Sequence, residues 1–315
     1  MLITPLRVAH LLLLSLLWAC SSTHSSNRPT RVGDYASVTE LTATPFFPQE
    51  DYQCGPAALA TVLVHAGVGV SPEALLPQVY LSGRYGTLQV ELLAATRRHG
   101  RIAFVIPPDI EHLSAELRAG HPVLVLQNLG LSWLPQWHYA VVIGIDLAQQ
   151  QIILRSGTYR RHTLPLRVFE RTWRRADNWG FVALTPGDLP AADEPLRVVD
   201  ATAQLAKTLP SAQLRNAYTA AAQRWPNHLE TLLALGNAHF HVGDYAQAAA
   251  AYELALTAHP EAAAALNNLA QVYVESARWQ EAAALLTRAR ALDGPFRAQV
   301  EETWRELKRR KPATH

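Results

Sequence analysis

Pro48-Gln49-Glu50-Asp51-Tyr52-Gln53-Cys54-Gly55-Pro56-Ala57-Ala58-Leu59 puts a thiol at the mouth of an apolar helix. Pro56 suits a first helical turn, where its missing N–H is not needed. The apolar run that follows predicts a buried helix over Gly55–Ala66. Partial positive charge at a helix N-terminus favours thiolate, so a lowered pKa is expected for Cys54. Gly55 would let a substrate backbone come close. The chain holds only one other cysteine, Cys20, which excludes a disulfide scaffold and a cysteine-rich zinc site.

A thiolate needs a proton acceptor. His65 is too far along the same helix, about 16 Å at 1.5 Å per residue. His138 is better placed, at the mouth of the strand-like run Trp137-His138-Tyr139-Ala140-Val141-Val142-Ile143-Gly144-Ile145-Asp146. Further strands are expected at Ile102–Ile106, Val123–Gln127, Gln151–Arg155 and Gly180–Leu184, all rich in Val, Ile or aromatic residues. Ser71-Pro72-Glu73 and Thr87 each open a helix in this reading, and Asp109–Ala119 and Leu166–Arg174 supply two more. The pattern is α+β: a helical lobe ahead of a mostly antiparallel sheet. Pro122 to Ile145 carries no Asp, Glu, Lys or Arg, yet its Pro, Gln, Asn and His residues suit two buried strands better than a membrane span.

After Pro186-Gly187-Asp188-Leu189-Pro190 the composition turns to alanine-rich helix with a 34-residue period. Leu232, Leu235, Tyr245, Ala248, Tyr252, Ala255 and Pro260 recur as Leu266, Leu269, Trp279, Ala282, Leu286, Ala289 and Gly294. Small residues at Ala248 and Ala255 let paired helices approach. The pattern resembles tetratricopeptide repeats over 195–311. Units 229–262 and 263–296 are clear, 195–228 is degenerate, and Phe296 to Arg310 forms a capping helix. Asn237, His241, Asn268 and Gln271 are expected along the face that receives a protein partner. The front domain, 40–187, is expected to fold without residues 195–315.

Of 315 residues, 49% are hydrophobic and 17% charged, which suits packed cores and excludes a disordered chain. A net charge of +2 without a concentrated basic face disfavours nucleic acid as a partner. Arg7 and the apolar run Val8–Trp18 read as a signal peptide, 1–19, too short to span a bilayer. It ends in Leu17-Trp18-Ala19-Cys20, which resembles a bacterial lipobox. That resemblance implies lipid on Cys20, a tether over 20–39, and a protein anchored in the cell envelope. Ser21 leans towards the outer membrane, facing the periplasm. Lipidation of Cys20 leaves Cys54 as a lone thiol in an exported protein, a reason to expect a use for it.

Gln49…Cys54-Gly55-Pro56-Ala57-Ala58-Leu59 and Gly120-His121-Pro122-Val123…His138-Tyr139-Ala140-Val141-Val142-Ile143-Gly144 together resemble the bacteriocin-processing, double-glycine-leader cysteine peptidases, which are papain-like. The resemblance covers residues 40–185 or so. It implies Cys54 as nucleophile, His138 as general base and then acid, and a glutamine, matched by Gln49, helping to bind the oxyanion. The family's third member, an Asp after the next strand, is replaced here by Leu154-Arg155-Ser156-Gly157-Thr158. Asp146 cannot substitute, being about 26 Å from His138 along a strand at 3.3 Å per residue. A hairpin turning near Leu147–Gln150 would return Ser156 and Thr158 towards His138. Either hydroxyl, or a backbone carbonyl, could then fix the imidazole.

The expected function is a membrane-anchored cysteine peptidase whose repeats recognise protein. The alternatives are an inactive peptidase-like module that binds peptide, and a repeat scaffold for envelope assembly. No metal or cofactor is expected. No Gly-rich phosphate loop with Lys-Ser/Thr is present to suggest a nucleotide-driven exporter.

Overall fold

The computed structural model describes residues 38–48, 54–81 and 86–312; the expected signal peptide, Cys20, most of the expected tether and Gln49 lie outside them. The front half runs β1 (Val38–Glu40), α1 (Cys54–His65), α2 (Pro72–Val79), β2 (Tyr80–Leu81), β3 (Gly86–Thr87) and α3 (Gln89–Arg98). It continues through β4 (Ile102–Val105), α4 (Ile110–Arg118), β5 (Val123–Asn128), β6 (Trp137–Asp146), β7 (Gln151–Ser156), β8 (Tyr159–Pro165), α5 (Leu166–Arg174) and β9 (Gly180–Leu184). The arrangement is α+β, as expected, with an antiparallel sheet in the order β4-β9-β5-β6-β7-β8.

The sheet is apolar on both faces, and period-two alternation sends neighbours to opposite layers. In β6, Tyr139, Val141 and Ile143 pack with Leu59, Leu63, Leu75 and Leu92 of the α1–α3 lobe. Ala140 and Val142 face the other layer, with Leu113, Leu117, Phe169 and Trp173. Burial of β5 and β6 on both faces explains why Val123–Asn128 and Tyr139–Ile145 carry no charge; Asp146 closes the run. No helix among the described residues is long and apolar enough to cross a membrane.

Two local expectations change. Thr87 does not open a helix; it pairs with Tyr80 in a two-residue strand, and α3 starts at Gln89 after Leu88. β8 was not foreseen, because Arg160, Arg161 and His162 give it no apolar face; it is the exposed edge strand after β7.

The second half is all helix: α6 (Pro195–Ala203), α7 (Ser211–Arg224), α8 (Leu229–Phe240), α9 (Tyr245–Ala258), α10 (Ala263–Glu275), α11 (Trp279–Arg290) and α12 (Arg297–Arg310). Leu232, Ala248, Tyr252 and Ala255 are buried, as are their counterparts Leu266, Ala282, Leu286 and Ala289. Gly236 is required by close approach: a Cβ there would lie 2.3 Å from the Tyr252 ring. Polar side chains from the expected partner face bond between helices. Asn237 Oδ1 accepts from Tyr252 at 2.6 Å and from Asn268 at 3.1 Å, and Gln271 donates to Glu306 at 3.1 Å.

α6 and α7 are not independent of the sheet. Val198, Ala201, Leu205, Ala217 and Ala221 share one core with Ile102, Phe104, Val182 and Leu184. Arg224 donates to the carbonyls of Pro190 and Ala191, and Glu116 accepts from the Ala191 N–H. Deleting residues 195–315 would therefore uncover the β4 and β9 part of that sheet face, which bears on the sequence-based expectation that the front domain folds alone.

Candidate active site

α1 begins at Cys54, where two things converge on the sulfur. Burial pushes the thiol pKa up, while the main-chain N–H groups of Tyr139, Gly55 and Cys54 itself favour thiolate and offset part of that rise. The net shift is upward, so desolvation outweighs the helix N-terminus and the expected lowering is not found. The bond from Tyr139 N–H also fixes the geometry: the sulfur lies against the residue that follows His138 in β6.

His138 Nε2 lies 2.8 Å from Ser156 Oγ. The register delivers this contact: β6 and β7 pair from Asp146↔Gln151 to Val141↔Arg155, so the chain returns through the hairpin to the histidine end. Thr158 stands exposed in the turn beyond. Desolvation holds the His138 pKa down, and the positive charge available to His162 lowers it further. Asp146 is at the far end of β6, where it accepts from Gln149 N at 2.8 Å. His65 is likewise occupied elsewhere, with Nε2 2.9 Å from the Gly120 carbonyl.

Three neighbours escaped the sequence reading. Thr87 occupies the space over Gly55, where a Cβ would meet Thr87 Oγ1 at 2.4 Å, so this glycine admits a neighbouring strand rather than substrate. Tyr139 Oη donates to the Thr87 carbonyl at 3.1 Å, tying β3 to β6 next to the helix that Cys54 opens. The His162 and Tyr159 rings meet at a 32° tilt, centres 5.3 Å apart. No sequence pattern marks these three, because each is brought in by tertiary contact. Among the described residues no group of three or more His, Cys, Asp or Glu could hold a metal ion.

If Nε2–H donates to Ser156, Nδ1 carries the ring's lone pair and can take a proton from a thiol. Cys54 would then attack a peptide carbonyl as thiolate, and the imidazolium would protonate the leaving amine.

Residues 41–180 match the model of the Peptidase_C39 like family, and residues 215–260 and 233–295 match the tetratricopeptide repeat. An uncharacterized protein of Methanothermobacter thermautotrophicus is 30% identical over 120 residues, 38% of this chain and 75% of that one. A putative C39-like peptidase from Bacillus anthracis aligns with 47% of this chain and 97% of its own, at 19% identity and TM-score 0.42. The peptidase domain of Streptococcus ComA, a bi-functional ABC transporter involved in a quorum sensing pathway, aligns with 45% of this chain and 98% of its own, at 23% identity and TM-score 0.37.

Proposed function

From a chain that belongs, through residues 41–180, to the Peptidase_C39 like family and carries tetratricopeptide repeats behind that domain, we infer a cysteine peptidase that hydrolyses peptide bonds. The observation that carries this reading is the β6 start, where Tyr139 N–H bonds the Cys54 sulfur and the preceding residue, His138, lies with Nε2 2.8 Å from Ser156 Oγ. Cys54 is the nucleophile, His138 the base and then the acid, and Ser156 the residue that orients the imidazole. Gln49 is assigned as the oxyanion donor by its place in the sequence motif ahead of Cys54. The lipobox-like Leu17-Trp18-Ala19-Cys20 supports lipidation of Cys20 and an envelope location, outer membrane facing the periplasm. The repeats recruit the protein that is cut, or one that presents it.

The test is cleavage of a peptide library by the full chain, beside Cys54→Ala and His138→Ala. Peptide products that vanish in both variants are expected. Equal cleavage by Cys54→Ala would remove the thiol from the mechanism.

A second reading has its own support. The raised Cys54 thiol and lowered His138 leave both groups neutral near pH 7, and Ser156 supplies no carboxylate to stabilise imidazolium. A pocket of this kind can hold a peptide without cutting it. In that case the same library is bound and recovered intact.

A further inference from the structure

The β5–β6 connection is an apolar tip built to stay exposed. Trp133 is 79% exposed, Leu134 63%, Trp137 54% and Leu131 51%. The loop does not fold these side chains inward because its main chain is already committed. Leu131 and Leu134 exchange N–H···O bonds of 3.0 and 3.1 Å, and Leu129 N donates to Gln136 O at 2.8 Å. Asn128 Oδ1 accepts from both Gly130 N and Gln136 N at 2.9 Å, and Arg175 donates to the Gly130 carbonyl. No charged residue interrupts Leu129 to Trp137.

We propose that this tip inserts into the interfacial layer of a lipid bilayer, anchored by Leu131, Trp133 and Leu134. Size favours lipid over protein as its occupant. A protein interface engages roughly 20–30 residues a side, whereas this tip offers a handful. Composition agrees, since Trp is enriched where membrane meets water and an apolar face there sinks about 5–10 Å.

A second tip lies at the same end of the sheet. The pairings Gln127↔His138 and Ser156↔Tyr159 bring the β7–β8 turn to the end that bears the loop. That turn carries Tyr159, 63% exposed, and Arg160, also at the surface. A tyrosine suits headgroup depth and an arginine suits anionic headgroups. Lipid on Cys20 would keep both tips near a bilayer, because residues 21–37 reach about 60 Å at full extension. Trp137 precedes His138 directly, so docking by this edge brings the His138 end of the sheet to the membrane surface.

The proposal is independent of the peptidase reading, and its readout is not activity. Full chain carrying Cys20→Ser and Cys54→Ser takes an environment-sensitive fluorophore at Ser132→Cys, with Thr257→Cys on exposed α9 as the control position. Each is mixed with vesicles of phosphatidylethanolamine and phosphatidylglycerol. A blue-shifted, roughly doubled emission is expected at 132, quenched by lipids brominated near the headgroup, with no change at 257. Adding Leu131→Ser, Trp133→Ser and Leu134→Ser should return the probe at 132 to water. The proposal is overturned if the probe at 132 stays aqueous, or if 257 responds equally. It is also overturned if the signal survives the triple substitution. A rise in KM for a soluble peptide when the same three substitutions are made in the chain that keeps Cys54, with the probe at 132 aqueous throughout, would assign the tip to substrate instead.

Discussion

The Ser156 hydroxyl can donate or accept, and that ambivalence governs His138. An acceptor-only carboxylate would force the proton onto Nε2 and leave Nδ1 free, whereas a serine that donates to Nε2 leaves the proton on Nδ1, the wrong side for taking one from a thiol. Ser156→Asp should therefore fix the productive tautomer, raise the His138 pKa and increase kcat about tenfold, since a charged hydrogen bond exceeds a neutral one by about 1.4 kcal/mol. Ser156→Ala should lower kcat roughly three- to tenfold with little change in KM. Parallel kinetics on the two variants check this, and equal rates in all three proteins would mean that Ser156 orients nothing. The pH dependence follows from the shifts at the pair. Cys54 sits above the usual thiol range of about 8.5 and His138 below its usual 6.5, so at pH 7 neither is charged. Alkylation of Cys54 should then be slow at pH 6 and still rising beyond pH 8.5; a plateau near pH 6 would reveal a preformed thiolate–imidazolium pair and contradict the burial argument. Cys54 and His138 were legible because a Gly-Pro helix start and a strand-mouth imidazole are local patterns. Thr87, Tyr139 and the desolvation of the thiol were not, because the tertiary fold creates them.

At the scale of elements, sequence periodicity succeeds where burial is one-sided or repeated. The 34-residue recurrence finds paired helices because Ala248, Ala255, Ala282 and Ala289 are all buried at equivalent positions of successive units. β8 left no such trace, having no buried face, and β2 and β3 are too short to show alternation. Gly236 tests the helix contact. Alanine there would set its Cβ 2.3 Å from the Tyr252 ring, which also holds Asn237 through its hydroxyl at 2.6 Å. Helix propensity alone predicts that Gly236→Ala stabilises α8 by up to about 1 kcal/mol. Overpacking costs about 1–3 kcal/mol, so the net effect should be destabilising. Thermal unfolding is the measurement, with a lowered midpoint expected and an unchanged or raised one showing that α8 and α9 can separate to admit the methyl group.

At the scale of the molecule, composition separates the two halves after Leu189 but conceals where the core divides. Alanine-rich helix and mixed strand look like two domains in sequence, yet α6 and α7 bury Val198, Leu205, Ala217 and Ala221 on the sheet face that carries Phe104 and Val182. Fully burying one large apolar side chain contributes about 1.5–3 kcal/mol. Losing the cover over that face therefore removes several such contributions, against a total stability of about 5–15 kcal/mol for a domain. Two truncations separate the possibilities. A chain ended at residue 194 should be aggregated or molten, with its sheet face exposed and the Glu116 bond to Ala191 N no longer supported by Arg224. A chain ended at residue 228 keeps α6, α7 and both Arg224 contacts, and should unfold cooperatively and retain the Cys54 reactivity of the full protein. Circular dichroism melts and alkylation rates on the pair decide it. If the 194 form melts as sharply and as high as the 228 form, the first helical pair belongs energetically to the repeats and the shared core contributes little.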